Sequence, residues 1–103
     1  SYLILRPALG EMMDEQRYDD LLEEIRIKSL EVPGITGTEK CFIRKAGMKF
    51  HVDLHAMVDG NISVTKGHDI AHLLQDHLNK EIPNLEHVLI HIEPDDATHQ
   101  DYF

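Results

Sequence analysis

Two stretches of the chain alternate apolar and polar residues with a period of two, the pattern of a strand that buries one face. In residues 50–56 the inward apolar residues are Phe50, Val52, Leu54 and Ala56, and the outward polar residues are His51, Asp53 and His55. In residues 88–93 the inward residues are Val88, Ile90 and Ile92, and the residues that face the other way are Leu89, His91 and Glu93. If these strands share one sheet, imidazoles and carboxylates gather on its open face, which is how a divalent metal site is built.

Apolar residues at helical spacing predict two helices. The first runs from about residue 17 to a stop at Pro33-Gly34, and its predicted apolar positions are Leu21, Leu22, Ile25 and Leu30. Ser63 is a good N-cap for the second helix, which we expect to run to about Lys80. Its predicted core stripe is Val64, Ile70, Ala71, Leu74 and Leu78.

The remaining elements complete an α+β fold. Residues 34–40 are rich in turn formers, Cys41 to Lys45 are β-prone, and Gly47 connects them to residues 48–58, so these two runs predict an antiparallel hairpin. The order helix, strand, strand, helix, strand predicts a three-stranded mixed sheet with two helices on one face. A right-handed crossover places the third strand parallel to the second, either adjacent to it or one position away.

With 103 residues the chain is expected to form one domain. We expect residues 1–15 to be a linker, residues 16–96 to be the folded domain and residues 97–103 to be a flexible tail. The single cysteine, Cys41, cannot form an internal disulfide.

The net charge of the chain indicates which classes of binding partner it suits. The formal net charge is −9, which argues against nucleic acid because phosphate binding requires a surplus of Lys and Arg. An acidic chain with eight histidines suits cations instead.

Several histidines are candidate metal ligands, although each one alone is more often a surface imidazole. His68 and His72 lie at i and i+4 of the second predicted helix, which makes a metal half-site, but the HExxH motif of zinc proteases is missing. Imidazole and carboxylate donors without a thiolate fit zinc, iron(II), manganese or cobalt. Glu39 and Glu93 could form a carboxylate pair, yet nothing fixes their separation, so we do not predict an enzyme.

Segments of the chain resemble the cytoplasmic C-terminal domain of the cation diffusion facilitators, which are metal/proton antiporters. The similarity spans about residues 8–96 and rests on ALGEMMDE, PGITG, FHVDLHAMVDG, His68 and IPNLEHVLIHIEP. The resemblance implies a ferredoxin-like αββαβ module that forms a homodimer, with residues 1–15 as a linker from a missing transmembrane domain of the same transporter. It also implies that metal at the dimer interface draws the two arms of a V together and regulates transport, on the cytoplasmic face of a membrane.

The resemblance also implies the ligands. His55, His68 and His91 match imidazole ligands of the family, and Glu93 matches an acid that can bridge two ions. Glu39 lies where the family ligand after the PGxxG turn often falls, and Asp14 where the family can place an interprotomer charge. Zinc is the leading expectation, with iron, manganese and cobalt as alternatives.

Other interpretations remain open at this point. The main alternative is a stand-alone metal-binding or metallochaperone-like protein, and a small metal-dependent hydrolase is a third. The sequence does not decide whether the remaining histidines take part, namely His51, His72, His77, His87 and His99.

Overall fold

Two helices and three strands follow one another in the order αββαβ in a computed structural model that describes residues 18–95. The described part of helix α1 covers residues 18–30. It is followed by β1 (Gly37–Ala46), β2 (Lys49–Val58), helix α2 (Val64–Glu81) and β3 (Leu85–Pro94). This confirms the predicted α+β, ferredoxin-like fold. The expectations for residues 1–15, including Asp14, and for residues 97–103, including His99, lie outside the described residues.

The sheet has the strand order β1-β2-β3. β1 and β2 form an antiparallel hairpin, and β3 lies parallel and adjacent to β2, so the nearer of the two predicted positions is the correct one. The parallel register aligns His51 with His87 and His55 with His91. Helix α2 makes the crossover between β2 and β3.

Two strands are longer than the sequence predicts. β1 begins at Gly37 rather than at Cys41, and β3 covers Leu85–Pro94 rather than residues 88–92. The reason is the central strand β2, which offers hydrogen-bond partners at both of its ends. At the C-terminal end of β2, the carbonyl oxygens of Met57 and Val58 accept from the N–H groups of Thr36 and Asp95, each at 2.8 Å. At its N-terminal end, the N–H of Phe50 donates to the carbonyl oxygen of Asn84 at 2.9 Å. The pairing overrides the local turn propensity.

The core lies between one face of the sheet and the two helices. It is formed by buried residues of α1, β2, α2 and β3, including Ile25, Val52, Leu54, Ala56, Ile70, Leu74, Leu78 and Val88. Burying each large aliphatic side chain stabilises the fold by about 1.5–3 kcal/mol. The predicted alternation is confirmed, because Leu89 on the opposite face is 46% exposed whereas Val88 is 2% exposed.

Two predicted core positions are wrong. Val64 is 91% exposed, because the buried stripe of α2 begins one turn later, at Gly67. Leu30 is 43% exposed, and Ser29 takes the buried position one turn after Ile25 on α1. The hydroxyl of Ser29 donates to the carbonyl oxygen of Ile25 at 2.7 Å, which satisfies the buried polar group.

Candidate metal site

The polar side chains of the sheet lie on the face turned away from the helices, which we call the outer face. It is formed by alternate residues of the three strands, namely Lys40, Phe42 and Arg44, then His51, Asp53 and His55, then His87, Leu89, His91 and Glu93. The strand register brings His55 beside His91 and opposite Lys40. The alternation seen in the sequence therefore collects imidazole and carboxylate donors on one open surface.

A short hydrogen bond links His55 to Glu93 at this surface. The distance from Nδ1 of His55 to Oε2 of Glu93 is 2.7 Å, and both side chains are partly buried, at 25% and 32% exposed. The hydrogen bond from His55 lowers the pKa of Glu93 below its ordinary value, so the carboxylate is ionised at neutral pH and accepts. Nδ1 of His55 therefore carries the proton, and the lone pair of Nε2 is left for a metal.

Two aromatic rings hold His55 from either side. The ring of His91 stacks on it with a centroid distance of 4.6 Å and an interplanar angle of 21°. The ring of Phe42 meets it nearly edge-on, at 6.3 Å and 79°. The His55 imidazole is therefore fixed in orientation by packing as well as by Glu93.

A β-bulge brings Glu39 to the same place. The register of β1 and β2 shifts between Thr38 and Lys40, so Glu39 and Lys40 together oppose His55. The charge of Lys40, which also opposes His55, adds a smaller contribution to the lowered pKa of Glu93. The bulge thus places Glu39 opposite His55, which itself contacts His91 and Glu93. The bulge had no recognisable signature in the sequence, where residues 34–40 appeared to form only a turn.

His68 lies elsewhere. Ser63 caps α2, since its hydroxyl accepts from the N–H of Lys66 at 3.0 Å, and this cap sets the position of His68 early in the helix. Because α2 packs on the inner face of the sheet, the sheet separates His68 from His55 and His91 within one chain. In residues 18–95, no three His, Cys, Asp or Glu side chains are arranged to hold one ion.

Other histidines that the sequence left undecided have protein partners. Nδ1 of His51 accepts from Arg44 at 3.1 Å, and Nε2 of His51 lies 3.4 Å from a carboxylate oxygen of Glu86. Nε2 of His77 lies 2.8 Å from Oε1 of Glu31, so this contact joins α2 to the residue that follows α1. These partners show that the two imidazoles serve structural contacts in this conformation. Neither partnership could be predicted from the sequence.

Cys41 does not offer a thiolate. Burial, followed by the charge of Asp53, raises the pKa of its thiol to about 11. The candidate donors are therefore nitrogen and oxygen atoms, and these suit borderline and hard divalent cations.

Comparisons with known proteins identify the domain. Residues 18–95 match the family model described as the cytoplasmic domain of cation efflux proteins. The chain is 32% identical to metal tolerance protein C1 of Arabidopsis thaliana over 87 residues, which are 84% of this chain and 18% of that protein. It is 23% identical to the manganese efflux system protein MneP of Bacillus subtilis over 91 residues, 88% of this chain and 31% of that protein. The chain therefore spans less than a third of either relative.

Solved structures agree on the fold. One variant of the MamM C-terminal domain superposes with a TM-score of 0.76 at 20% identity, covering 79% of this chain and 99% of that domain. A second variant gives a TM-score of 0.74 at 22% identity, covering 77% and 99%. No helix within residues 18–95 combines the length and the apolar character needed to cross a bilayer. Since the family model covers most of the chain, the chain belongs to the family of cytoplasmic domains of cation efflux proteins.

Proposed function

We propose that this chain is the regulatory cytoplasmic dimerisation domain of a divalent-cation efflux transporter, and that it binds metal at or near the dimer interface to stabilise the closed dimer. The observation that carries the proposal is the His55–Glu93 pair, with the His91 ring stacked on it, at an open face of the sheet. A histidine whose Nδ1–H is held by a carboxylate is the usual form of an imidazole metal ligand.

The donor chemistry fits a metal. His55 and His91 supply nitrogen, and Glu39 and Glu93 supply oxygen beside them. Zinc is the leading candidate, and iron, manganese and cobalt accept the same donors. MneP is named as a manganese efflux protein, and variants of the MamM C-terminal domain were solved in a nickel form and in a cadmium form, which agrees with a divalent cation as the ligand.

Dimerisation completes the donor set in this proposal. The described residues of one chain do not surround an ion, so a second copy supplies further ligands, and His68 joins the outer-face ligands only from that copy. Phe42 and Leu89 are 60% and 46% exposed on the outer face, and contact with a second copy would remove this apolar surface from water.

Regulation then follows from linkage. Metal that binds the closed dimer more tightly than the open one shifts the population toward the closed state, by no more than the difference in affinity. The export step belongs to a transmembrane domain of the same protein, since this chain covers less than a third of either relative described above.

The test is an isothermal titration of the metal-free 103-residue chain with zinc, manganese and iron(II), with its mass measured in parallel by light scattering. We expect saturable binding that increases the dimer fraction. His55→Ala and His91→Ala should lose this binding, whereas the matched control His51→Ala, on the same face, should keep it, because Nδ1 of His51 is already occupied by Arg44. Equal titrations of the wild type and the His55→Ala and His91→Ala variants would overturn the assignment.

A further inference from the structure

We propose that α2 carries a second cation site, in which His68 and His72 of one chain chelate a single divalent ion. The site extends the proposed function, since it adds a ligand, His72, that the outer-face site does not use. Both of its imidazoles belong to the same helix and lie on the other side of the sheet from His55 of the same chain, so this ion needs no ligand from a second copy.

The geometry of the helix brings the side chains of His68 and His72 together. Residues at i and i+4 lie one above the other on a helix face. The Nε2 atoms of His68 and His72 are 3.0 Å apart, and the rings meet at a centroid distance of 4.5 Å and an angle of 75°. Two nitrogens at this separation can both lie about 2.1 Å from one ion, with an angle of about 90° at the metal. The two Nε2 atoms are thus close enough to bind the same cation.

The pair differs from other imidazoles of the chain in its partners. His77, on the same helix, is held by a carboxylate of Glu31, and His51 is held by Arg44 and Glu86. The contact of His68 and His72 is with each other. One imidazole must donate and the other must accept for this to be a hydrogen bond, and a metal ion replaces that shared proton when both imidazoles are deprotonated at Nε2.

The surroundings favour a cation and leave it accessible. His68 and His72 are exposed, so water can complete the coordination sphere. Asp69 and Asp76 are exposed on the same helix, and Asp76 follows His72 by one further i+4 step. With the overall charge of −9, these carboxylates attract divalent ions toward the helix.

The chemical class of the ion follows from the donors. A site with two imidazoles and no required carboxylate prefers nickel, copper or zinc to manganese, in the order of affinity of nitrogen ligands for divalent ions. The outer-face site, which mixes imidazole with the carboxylates of Glu39 and Glu93, tolerates manganese better. The two sites therefore differ in their metal preference.

The experiment uses the 103-residue chain with His55→Ala and His91→Ala combined, which removes the outer-face imidazoles. Isothermal titration calorimetry of this metal-free double variant with nickel should show one bound ion per chain. Adding His72→Ala should abolish that binding, and His72→Gln should do the same with less change in helix propensity. Adding His77→Ala instead is the matched control and should leave nickel binding intact. Circular dichroism verifies that each variant is folded.

The outcomes separate the two proposals. A double variant that binds no nickel, or one that binds it equally well after His72→Ala, overturns the chelate on α2. If the wild type and the double variant bind nickel, zinc and manganese identically and lose the binding only with His72→Ala, the chelate stands and the outer-face site fails.

Discussion

The partner of Nδ1 decides which imidazole of β2 is prepared to bind metal. His51 and His55 point to the same face of the same strand, and the strand periodicity alone does not distinguish them. Arg44 can only donate, so Nδ1 of His51 is an acceptor and the proton of the neutral ring is on Nε2. Glu93 accepts from Nδ1 of His55, so the tautomer is reversed and Nε2 is available.

This difference predicts the effect of Glu93→Gln. Glutamine has the same length and can still accept a hydrogen bond from Nδ1 of His55, but it removes the negative charge beside the imidazole. We expect zinc affinity to fall by about 10–100-fold, the usual cost of losing a carboxylate partner of a metal-binding histidine, with the fold unchanged. Calorimetric titration measures the affinity.

The control for this variant is Glu86→Gln. Glu86 lies 3.4 Å from Nε2 of His51, so it is a carboxylate beside a histidine that we do not assign to the site. Its removal should leave zinc binding unchanged. If both glutamine variants lose affinity equally, the effect comes from the charge of the surface and not from the His55–Glu93 pair.

The raised pKa of the Cys41 thiol predicts that this thiol is unreactive in the folded chain. Because burial raises its pKa to about 11, almost no thiolate is present at pH 8, and we expect slow alkylation by iodoacetamide in the folded chain and fast alkylation in urea. The raised pKa also means that the neutral thiol favours the folded state below pH 9. This contribution is lost as the pH rises toward 11. Mass spectrometry after timed labelling checks the first expectation, and equal labelling rates with and without urea would contradict it.

Among the elements, the turn between α1 and β1 is fitted closely against α2. Gly34 has a φ of +99°, and a Cβ atom at this position would lie 2.7 Å from Cδ1 of Ile70. Ile70 is 3% exposed, so its side chain has little room to move away. The turn therefore requires glycine both for its backbone conformation and for its contact with the helix.

Gly34→Ala should lower the free energy of unfolding by roughly 1–3 kcal/mol, from backbone strain together with the clash against Ile70. Gly47→Ala is the matched control, because Gly47 also has a positive φ, +65°, but no atom lies within 4 Å of its added Cβ. Urea denaturation of the two variants and the wild type measures the difference. A loss for Gly47→Ala as large as that for Gly34→Ala would show that the contact with Ile70 contributes nothing.

The elements could be predicted from the sequence wherever the information is local. Period-two alternation predicted which face of β2 and β3 is buried, and Ser63 and the Pro33-Gly34 pair predicted where helices begin and end. The ends of β1 and β3 could not be predicted, because they depend on hydrogen bonds to β2. The bulge that brings Glu39 beside His55 arises from the same pairing.

The candidate site, too, could be predicted from the sequence only in part. The residue types His55, His91 and Glu93 could be chosen from their spacing and from the family resemblance. Their tautomers and partners could not, since these depend on side chains that meet only across strands.

For the whole molecule, the net charge governs how two copies meet. Each chain carries a formal charge of −9, so two metal-free copies repel one another at close approach. A divalent ion held by Glu39, Glu93 and imidazoles neutralises part of this charge at the place where we propose that the copies come together. In the function that we propose, metal acts on the assembly both as a ligand and as a counter-charge.

Salt should replace the action of metal as a counter-charge but not its action as a ligand. Raising NaCl from 0.1 to 1 M shortens the Debye length from about 10 Å to about 3 Å, so we expect stronger self-association of the metal-free chain and a smaller further gain on adding zinc. Sedimentation velocity across a range of protein concentrations measures both effects. The chain with His55→Ala and His91→Ala is the control, and it should respond to salt as the wild type does but not to zinc. If salt weakens self-association instead, ion pairs between the copies outweigh their net repulsion, and metal stabilises the dimer by coordination alone.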